Sequence, residues 1–339
     1  METRKVQLSG GTTYTVSLPK PWAQEHGIDA DSLLVLHPNS DGSLLVEVAG
    51  ESDHRERQIT VSVGTTDADA LEQTITALYT VGFERITLRD RTGLDDDLRR
   101  TVEETISRLS GFELLEATET KLRLTSLIDA ENVDIRKSAL RLRLIALSMH
   151  ADAIEAVSEA DPDLARDTIR RDSEADKLFA MVTRHFRRSL SSLHEVEKLD
   201  HSRDELFEYY HVCRQFERVA DHAEKMATLV LDGNGTISHT LGEHLEAFSE
   251  TAFEIIDDAG EVVLADAAVE MAHESLARRE KLYDRIDAVN RELYSHGEPD
   301  AAYTTGLLLN SIRRTADYGA NIAEVGIQQS LRQQADARS

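Results

Sequence analysis

Hydrophobic positions divide the chain into three stretches of different period. In residues 1–49, apolar and polar side chains alternate in short runs. Val6, Leu8, Tyr14, Val16 and Leu18 flank the turn Gly10-Gly11, and Ser32 to His37 and Leu44 to Val48 form a second hairpin around Asn39-Ser40-Asp41-Gly42. Trp22 to His26 can make one helical turn. Around 50 residues of strand bury little on their own, so dimerisation is expected here. Residues 50–57 carry no apolar side chain and read as a linker.

Residues 58–127 switch between periods. A strand at Ile59 to Val63 precedes a helix from about Asp67 to Val81, which Gly82 ends. A strand at Glu84 to Leu88 and a helix at Leu94 to Leu109 follow, then a hairpin of Phe112 to Ala117 with Lys121 to Leu127. The order βαβαββ predicts a small α/β sandwich. It holds no glycine-rich phosphate loop and no catalytic cluster, which leaves a spacer or a ligand-sensing module. From Asp129 to Arg338 the period is helical, with breaks expected at Asp161-Pro162, Leu199 to Ser202, Gly233-Asn234-Gly235, Gly260 and Gly297-Glu298-Pro299. About six long helices joined by short loops predict an antiparallel bundle.

Composition narrows the setting. The net charge is −25, and the 38 basic residues include 8 lysines and 30 arginines. An acidic, lysine-poor surface suits a protein kept soluble in high salt, as in a halophilic archaeon, and opposes broad attraction to nucleic acid or anionic lipid. The single cysteine, Cys213, excludes an intramolecular disulfide. No apolar leader and no apolar run of 18 residues is visible, so a cytoplasmic protein without membrane insertion is expected, and the sequon at Asn234 carries no weight. Ser-His-Asp, CxxC and HExxH arrangements are absent, so no enzyme is expected.

The chemistry lies on the bundle seams. Ile169, Asp172, Asp176, Phe179, Thr183, Phe186 and Leu190 follow the 3,4 spacing of a core stripe, with two carboxylates where apolar residues belong. On the next long helix Glu217, Asp221 and Glu224 run beside the stripe Val212, Phe216, Val219, Ala223, Met226 and Val230. Two such helices, antiparallel, aim four or five carboxylates at one place. Charge buried this way is paired, protonated or bound to a metal, and an all-oxygen set favours a hard or intermediate ion. Glu208-x-x-His211 lies half a rotation from Glu217 and is expected to face solvent.

The helical region repeats. Asp172-x-x-x-Asp176 with Glu217-Arg218-Val219-Ala220-Asp221 is answered by Glu280-x-x-x-Asp284 with Arg313-Arg314-Thr315-Ala316-Asp317. This arrangement resembles the PhoU family of phosphate-uptake regulators over about residues 130–336. The resemblance implies an all-α six-helix bundle of two three-helix repeats, about 130–232 and 238–336. It also implies multinuclear metal sites of Fe, Mn, Mg or Zn on Asp172, Asp176, Glu217, Asp221, Glu280, Asp284 and Asp317, and a role in relaying phosphate status. Arg313 stands where the second repeat needs a carboxylate, and a guanidinium cannot ligate a metal. Arg313 is expected to neutralise Glu280, Asp284 and Asp317 instead, with His273 as a substitute ligand or a structural residue. Residues 1–50, through Val6-Gln7-Leu8-Ser9-Gly10-Gly11 and Leu18-Pro19-Lys20-Pro21-Trp22, resemble the SpoVT/AbrB swapped-hairpin domain. That implies an intertwined homodimer contacting DNA. Arg4, Lys5 and Lys20 give residues 1–22 a net +2, which suits phosphate contact.

The expected protein therefore has three domains: an AbrB-like domain at 1–50, an α/β domain at 57–128 and a PhoU-like bundle at 130–336. Its expected role is regulation of phosphate uptake, either by binding promoters of phosphate-transport genes or as an adaptor that represses a phosphate transporter without touching DNA.

Overall fold

The computed structural model describes residues 3–38, 42–48, 56–64, 66–233, 239–296 and 299–337, in two compact units, Met1–Glu56 and Arg57–Ser339. The expected turn at 39–41, the linker over 50–55 and the sequon at 234–236 lie outside the described residues.

The first unit holds two antiparallel hairpins. β1 (Gln7–Ser9) pairs with β2 (Thr13–Thr15) through Gly10 and Gly11 at φ +63° and +81°, a left-handed pair that glycine adopts without steric cost. α1 (Lys20–Glu25) follows, then β3 (Leu34–Pro38) with β4 (Leu44–Val48). The strands of the first hairpin are three residues each, shorter than the alternating pattern suggests. No described residue of this unit is buried, and Val6, Leu8, Tyr14, Leu33 and Leu36 are all more than half exposed.

The second unit opens with the βαβαββ order. β5 (Gln58–Ser62), α2 (Ala68–Val81), β6 (Arg85–Arg89), α3 (Asp96–Ser107), β7 (Phe112–Ala117) and β8 (Lys121–Ser126) build a sheet of order β5-β6-β8-β7, in which only β5 and β6 run parallel. Asp67 and Asp95 cap the two helices by accepting from Ala70 N and Leu98 N, each at 2.8 Å. Gly82 closes α2 at φ +102°. Ile86, Leu88, Leu122 and Leu124 pack under Leu71, Ile75, Tyr79 and Val102 in one core.

The bundle comprises α4 (Ile135–Glu159), α5 (Pro162–Ser189), the short α6 (Leu193–Leu199), α7 (Arg203–Leu231), α8 (His239–Leu264), α9 (Val269–His296) and α10 (Pro299–Asp336). α4, α5 and α7 pack as one half and α8, α9 and α10 as the other, joined by α7 against α10 and α4 against α8. Among the described residues no helix is long and apolar enough to cross a membrane.

Three expectations fail here. Gly260 does not break a helix: α8 runs through it, and a Cβ there would lie 3.1 Å from Arg143 Nε, so the glycine admits a guanidinium that pairs with Asp257 and Glu261. The actual turn follows Leu264, with Asp266 at φ +55°. Leu190 is exposed, because α5 ends at Ser189. Glu208 is buried rather than solvent-facing, and Arg332 of α10 closes on both its oxygens at 2.8–3.1 Å.

The α/β layer is fastened to the bundle through α5. Arg184, almost wholly buried, donates to Tyr79 O and Phe83 O and lies over the Tyr79 ring at 4.9 Å. One turn on, Arg188 bridges Glu84 at 2.6 Å and Glu195 at 2.9 Å, and Glu195 also meets His185 at 2.6 Å.

Candidate metal centre in the first half of the bundle

α5 begins at Asp161-Pro162, where Asp161 caps and proline fits the first turn. From that start the 3,4 repeat turns Ala165, Thr168, Ala175 and Phe179 inward. Asp172 and Asp176 stand one turn apart on the edge of this face. α7 starts from a complete capping box, Ser202 with Glu205, and runs through Phe216, Val219 and Ala223 inward, with Glu217 and Asp221 on its α5-facing flank.

The two flanks meet. Asp172, Asp176 and Asp221 each place a carboxylate oxygen within 4.8 Å of the others, the one such group of three among the described residues. Burial, followed by repulsion from Asp176, Glu224, Asp221 and Glu217, pushes the Asp172 carboxyl up to about 7. Burial and then Asp221 push Glu217 up to about 7, against the pull of Arg214. Asp176 is the exposed member of the group, and its carboxyl is raised by partial desolvation, then by Asp221 and Glu224, with Arg108 opposing. Asp172 Oδ1 and Glu217 Oε2 are shielded from solvent and have no hydrogen-bond partner.

Shielded carboxylate oxygens without donors, next to further carboxylates, are what a multivalent cation would satisfy. The donor set fits such an ion: Asp172, Asp176 and Asp221 would hold it, with Glu217 at the edge. All-oxygen ligation matches Mg, Mn or Fe better than thiolate-type zinc.

The second half does not repeat this. Glu280 and Asp284 are exposed, as is His273, and among the described residues no group of three ligand atoms gathers around them. The error is one of register. Ala175 and Phe179 correspond to Leu282 and Ile286, all four buried and 107 residues apart. In that register Arg279 and Tyr283 take the places of Asp172 and Asp176; on α7 and α10 the buried pairs Phe216 with Ile312 and Ala220 with Ala316 stand 96 residues apart, which puts Arg313 in the place of Glu217. The structure joins these residues: the Tyr283 hydroxyl donates to Asp317, Arg314 reaches Asp317 at 3.3 Å and Arg279 at 3.9 Å. Arg313 does not neutralise Glu280, Asp284 or Asp317. It stacks on Tyr283 at 4.0 Å and pairs with Asp287 at 2.9 Å. Aligning the repeats on their buried apolar positions, instead of on the acidic spacing, would have found this.

In the first unit, Arg4, Lys5 and Lys20 are all exposed, Lys20 at the start of α1. Sequence reasoning placed Thr183 on the core stripe without assigning it a role and missed Arg187 and Arg214; all three line a cleft that also holds Asp176 and Glu217 and is shared with the α/β layer.

Comparison with known proteins places these features. Residues 139–230, covering α4 through most of α7, match the PhoU domain, so the carboxylate cluster lies inside that domain. No curated protein matches the chain. Among solved structures, the chain is similar to the phosphate transport system regulatory protein PhoU from Streptococcus pneumoniae, at 18% identity over 57% of this chain and 91% of that one, with a TM-score of 0.46. It is also similar to PhoU from Pseudomonas aeruginosa, at 18% identity over 58% of this chain and 96% of that one, with a TM-score of 0.39.

Proposed function

We propose that this chain is a cytoplasmic, phosphate-responsive regulator of phosphate uptake, whose bundle binds a multivalent cation and whose first unit carries the output. The observation that carries this is the group Asp172, Asp176 and Asp221 inside the PhoU domain. The match of residues 139–230 to the PhoU domain lends the phosphate-uptake context. Its role on this reading is binding and relay rather than catalysis, since its charged clusters fit ion binding.

The first unit serves as an AbrB-like homodimeric DNA-binding module. Its support is the bare apolar surface of Val6, Leu8, Tyr14, Leu33 and Leu36, which a second copy would cover. Arg4, Lys5 and Lys20 supply backbone contacts to promoters of phosphate-transport genes. In a halophile's salt such contacts are weak, so contacts to base edges or DNA shape carry specificity. The second reading, an adaptor that dimerises through this unit and represses a phosphate transporter without DNA, rests on the same apolar surface together with the chain's charge of −25.

The test is retention of promoter fragments by the full-length protein at multimolar potassium chloride, with Arg4→Ala plus Lys5→Ala as control. Retention by the wild type, weakened in a variant that remains dimeric, supports the DNA-binding reading. A dimer that retains no fragment at any salt hands the function to the adaptor.

A further inference from the structure

Between α2 and α3 of the α/β layer and α5 and α7 of the bundle lies a cleft of about 410 Å³, within the size range of small-molecule sites. Its basic side chains need explaining. In a chain of net charge −25, Arg108, Arg187 and Arg214 all line this one cleft. Glu72 engages Arg108 at 3.1 Å. Arg187 and Arg214 form no ion pair among the described residues, and Arg214 lies over the Phe179 ring at 5.4 Å.

A hydroxyl completes the wall. Thr183 is only 9% exposed, lines the cleft, and its Oγ1 has no hydrogen-bond partner. A buried hydroxyl is rarely left so, since the loss of water is then uncompensated. On the opposite wall, Thr80 and Thr105 spend their protons on the backbone of their own helices. With Arg108 held by Glu72, the remaining donors sit on the bundle side, where Arg187, Arg214 and Thr183 line the same cleft.

We infer that this cleft is a binding site for a phosphoryl group, carried by inorganic phosphate or by a nucleotide, with Arg187 and Arg214 as its charge partners and Thr183 as a neutral donor. Guanidinium forks match the paired oxygens of a phosphoryl group. Asp176 and Glu217 line the same cleft. A cation on them offsets the local negative charge and so favours the anion, and this part alone rests on the cation reading above. The Tyr210 ring, stacked on Phe179 at 5.9 Å and on Phe186 at 4.9 Å, lines the cleft and offers its edge to a base if the source is a nucleotide. The site touches four helices from both layers of the second unit, which gives the α/β layer a part in sensing.

Calorimetric titration of the full-length, manganese-loaded protein tests this, with inorganic phosphate and ADP in separate arms at fixed ionic strength. Arg187→Gln, at an exposed position, should weaken phosphate binding at least tenfold, and Thr183→Val about threefold, with manganese content unchanged by elemental analysis. ADP binding tenfold tighter than phosphate, and lost with Tyr210→Leu, identifies the nucleotide as source. Equal or weaker ADP binding identifies inorganic phosphate. Binding of neither ligand to manganese-loaded protein overturns the site, as does binding that both Arg187→Gln and Thr183→Val leave unchanged. Phosphate binding that depends on Arg187 in protein that takes up no manganese upholds the anion site and overturns the cation reading.

Discussion

Arg184 on α5 donates to the carbonyl of Tyr79 at the last turn of α2, 2.7 Å away, and so fixes the α/β layer to the helix that carries Asp172 and Asp176. The guanidinium is nearly buried and reaches Phe83 O as well, at 2.8 Å. Hydrogen bonds from charged donors contribute about 1.5–3 kcal/mol each. Arg184→Met should therefore destabilise the protein by about 3 kcal/mol, read as a lower denaturant midpoint. A midpoint within error of the wild type would show the clamp to be energetically idle.

Metal content should depend on both helices. Asp176→Asn with Asp221→Asn removes one charge from each side of the group and should abolish most bound metal, measured by elemental analysis of folded protein. Full metal content in that double variant would rule out the cluster as the site.

The pH dependence of the metal-free protein follows from the raised carboxyls. Asp172 and Glu217 hold protons up to about 7 in the fold, whereas in the unfolded chain they release them near the ordinary values of 3.8 and 4.5. Between roughly pH 4 and 7 the native state therefore binds more protons, and stability from these groups falls as pH rises. His150 and His222, both held down to about 4 by burial, act in the opposite sense below their ordinary 6.5. The comparison that isolates the carboxyls is wild type against Asp172→Asn, both metal-free. The variant should gain relative stability steadily from pH 4 to 7 and stop gaining above it. A difference that does not change with pH would refute the shift.

Arg313→Glu alone should not create a second metal site, because Arg279 and Tyr283 still occupy the facing positions and Asp317 is already held. Arg279→Asp, Tyr283→Asp and Arg313→Glu together rebuild the first-half pattern and should raise the metal count per chain. A rise with Arg313→Glu alone would overturn the register assigned to the repeat.

Gly319 on α10 should tolerate no side chain. A Cβ there would lie 2.8 Å from Ile255 Cγ2 and 3.0 Å from the Ile256 backbone nitrogen on α8. Overpacking of this kind costs about 1–3 kcal/mol, more than the ~1 kcal/mol that alanine gains over glycine in a helix. Gly319→Ala should lower the melting temperature, and an unchanged or higher value would contradict the close approach of the two helices.

Local signals in the sequence located the strands, the α2 stop at Gly82 and the start of α5 at Pro162, because caps and breakers act within a few residues. The pairing of Asp172 and Asp176 with Asp221 was also legible, since helical spacing fixes faces and short loops make helices antiparallel. Gly260 misled because a glycine that ends a helix and one that admits a neighbour look alike in one dimension. Glu280 and Asp284 misled for a related reason: an acidic i,i+4 pair on a solvent face has the same spacing as one on a seam. The Arg184 clamp and the Thr183 cleft join segments about 100 residues apart, and no local pattern marks them.

The two halves of the bundle resemble a bimetal strip, two bonded layers of which one responds to a stimulus. Loss of a cation would set Asp172, Asp176, Glu217 and Asp221 against one another across α5 and α7. The matching place in α9 and α10 is latched by Arg279, Tyr283 and Arg314 on Asp317 whatever the ion concentration. Strain confined to one layer bends the pair, and the layer that moves is the one fastened by Arg184 and Arg188 to the α/β domain. Hydrogen exchange after chelation should speed up in α5 and α7 and stay constant in α9 and α10; equal acceleration in both would mean that the strip has no passive side.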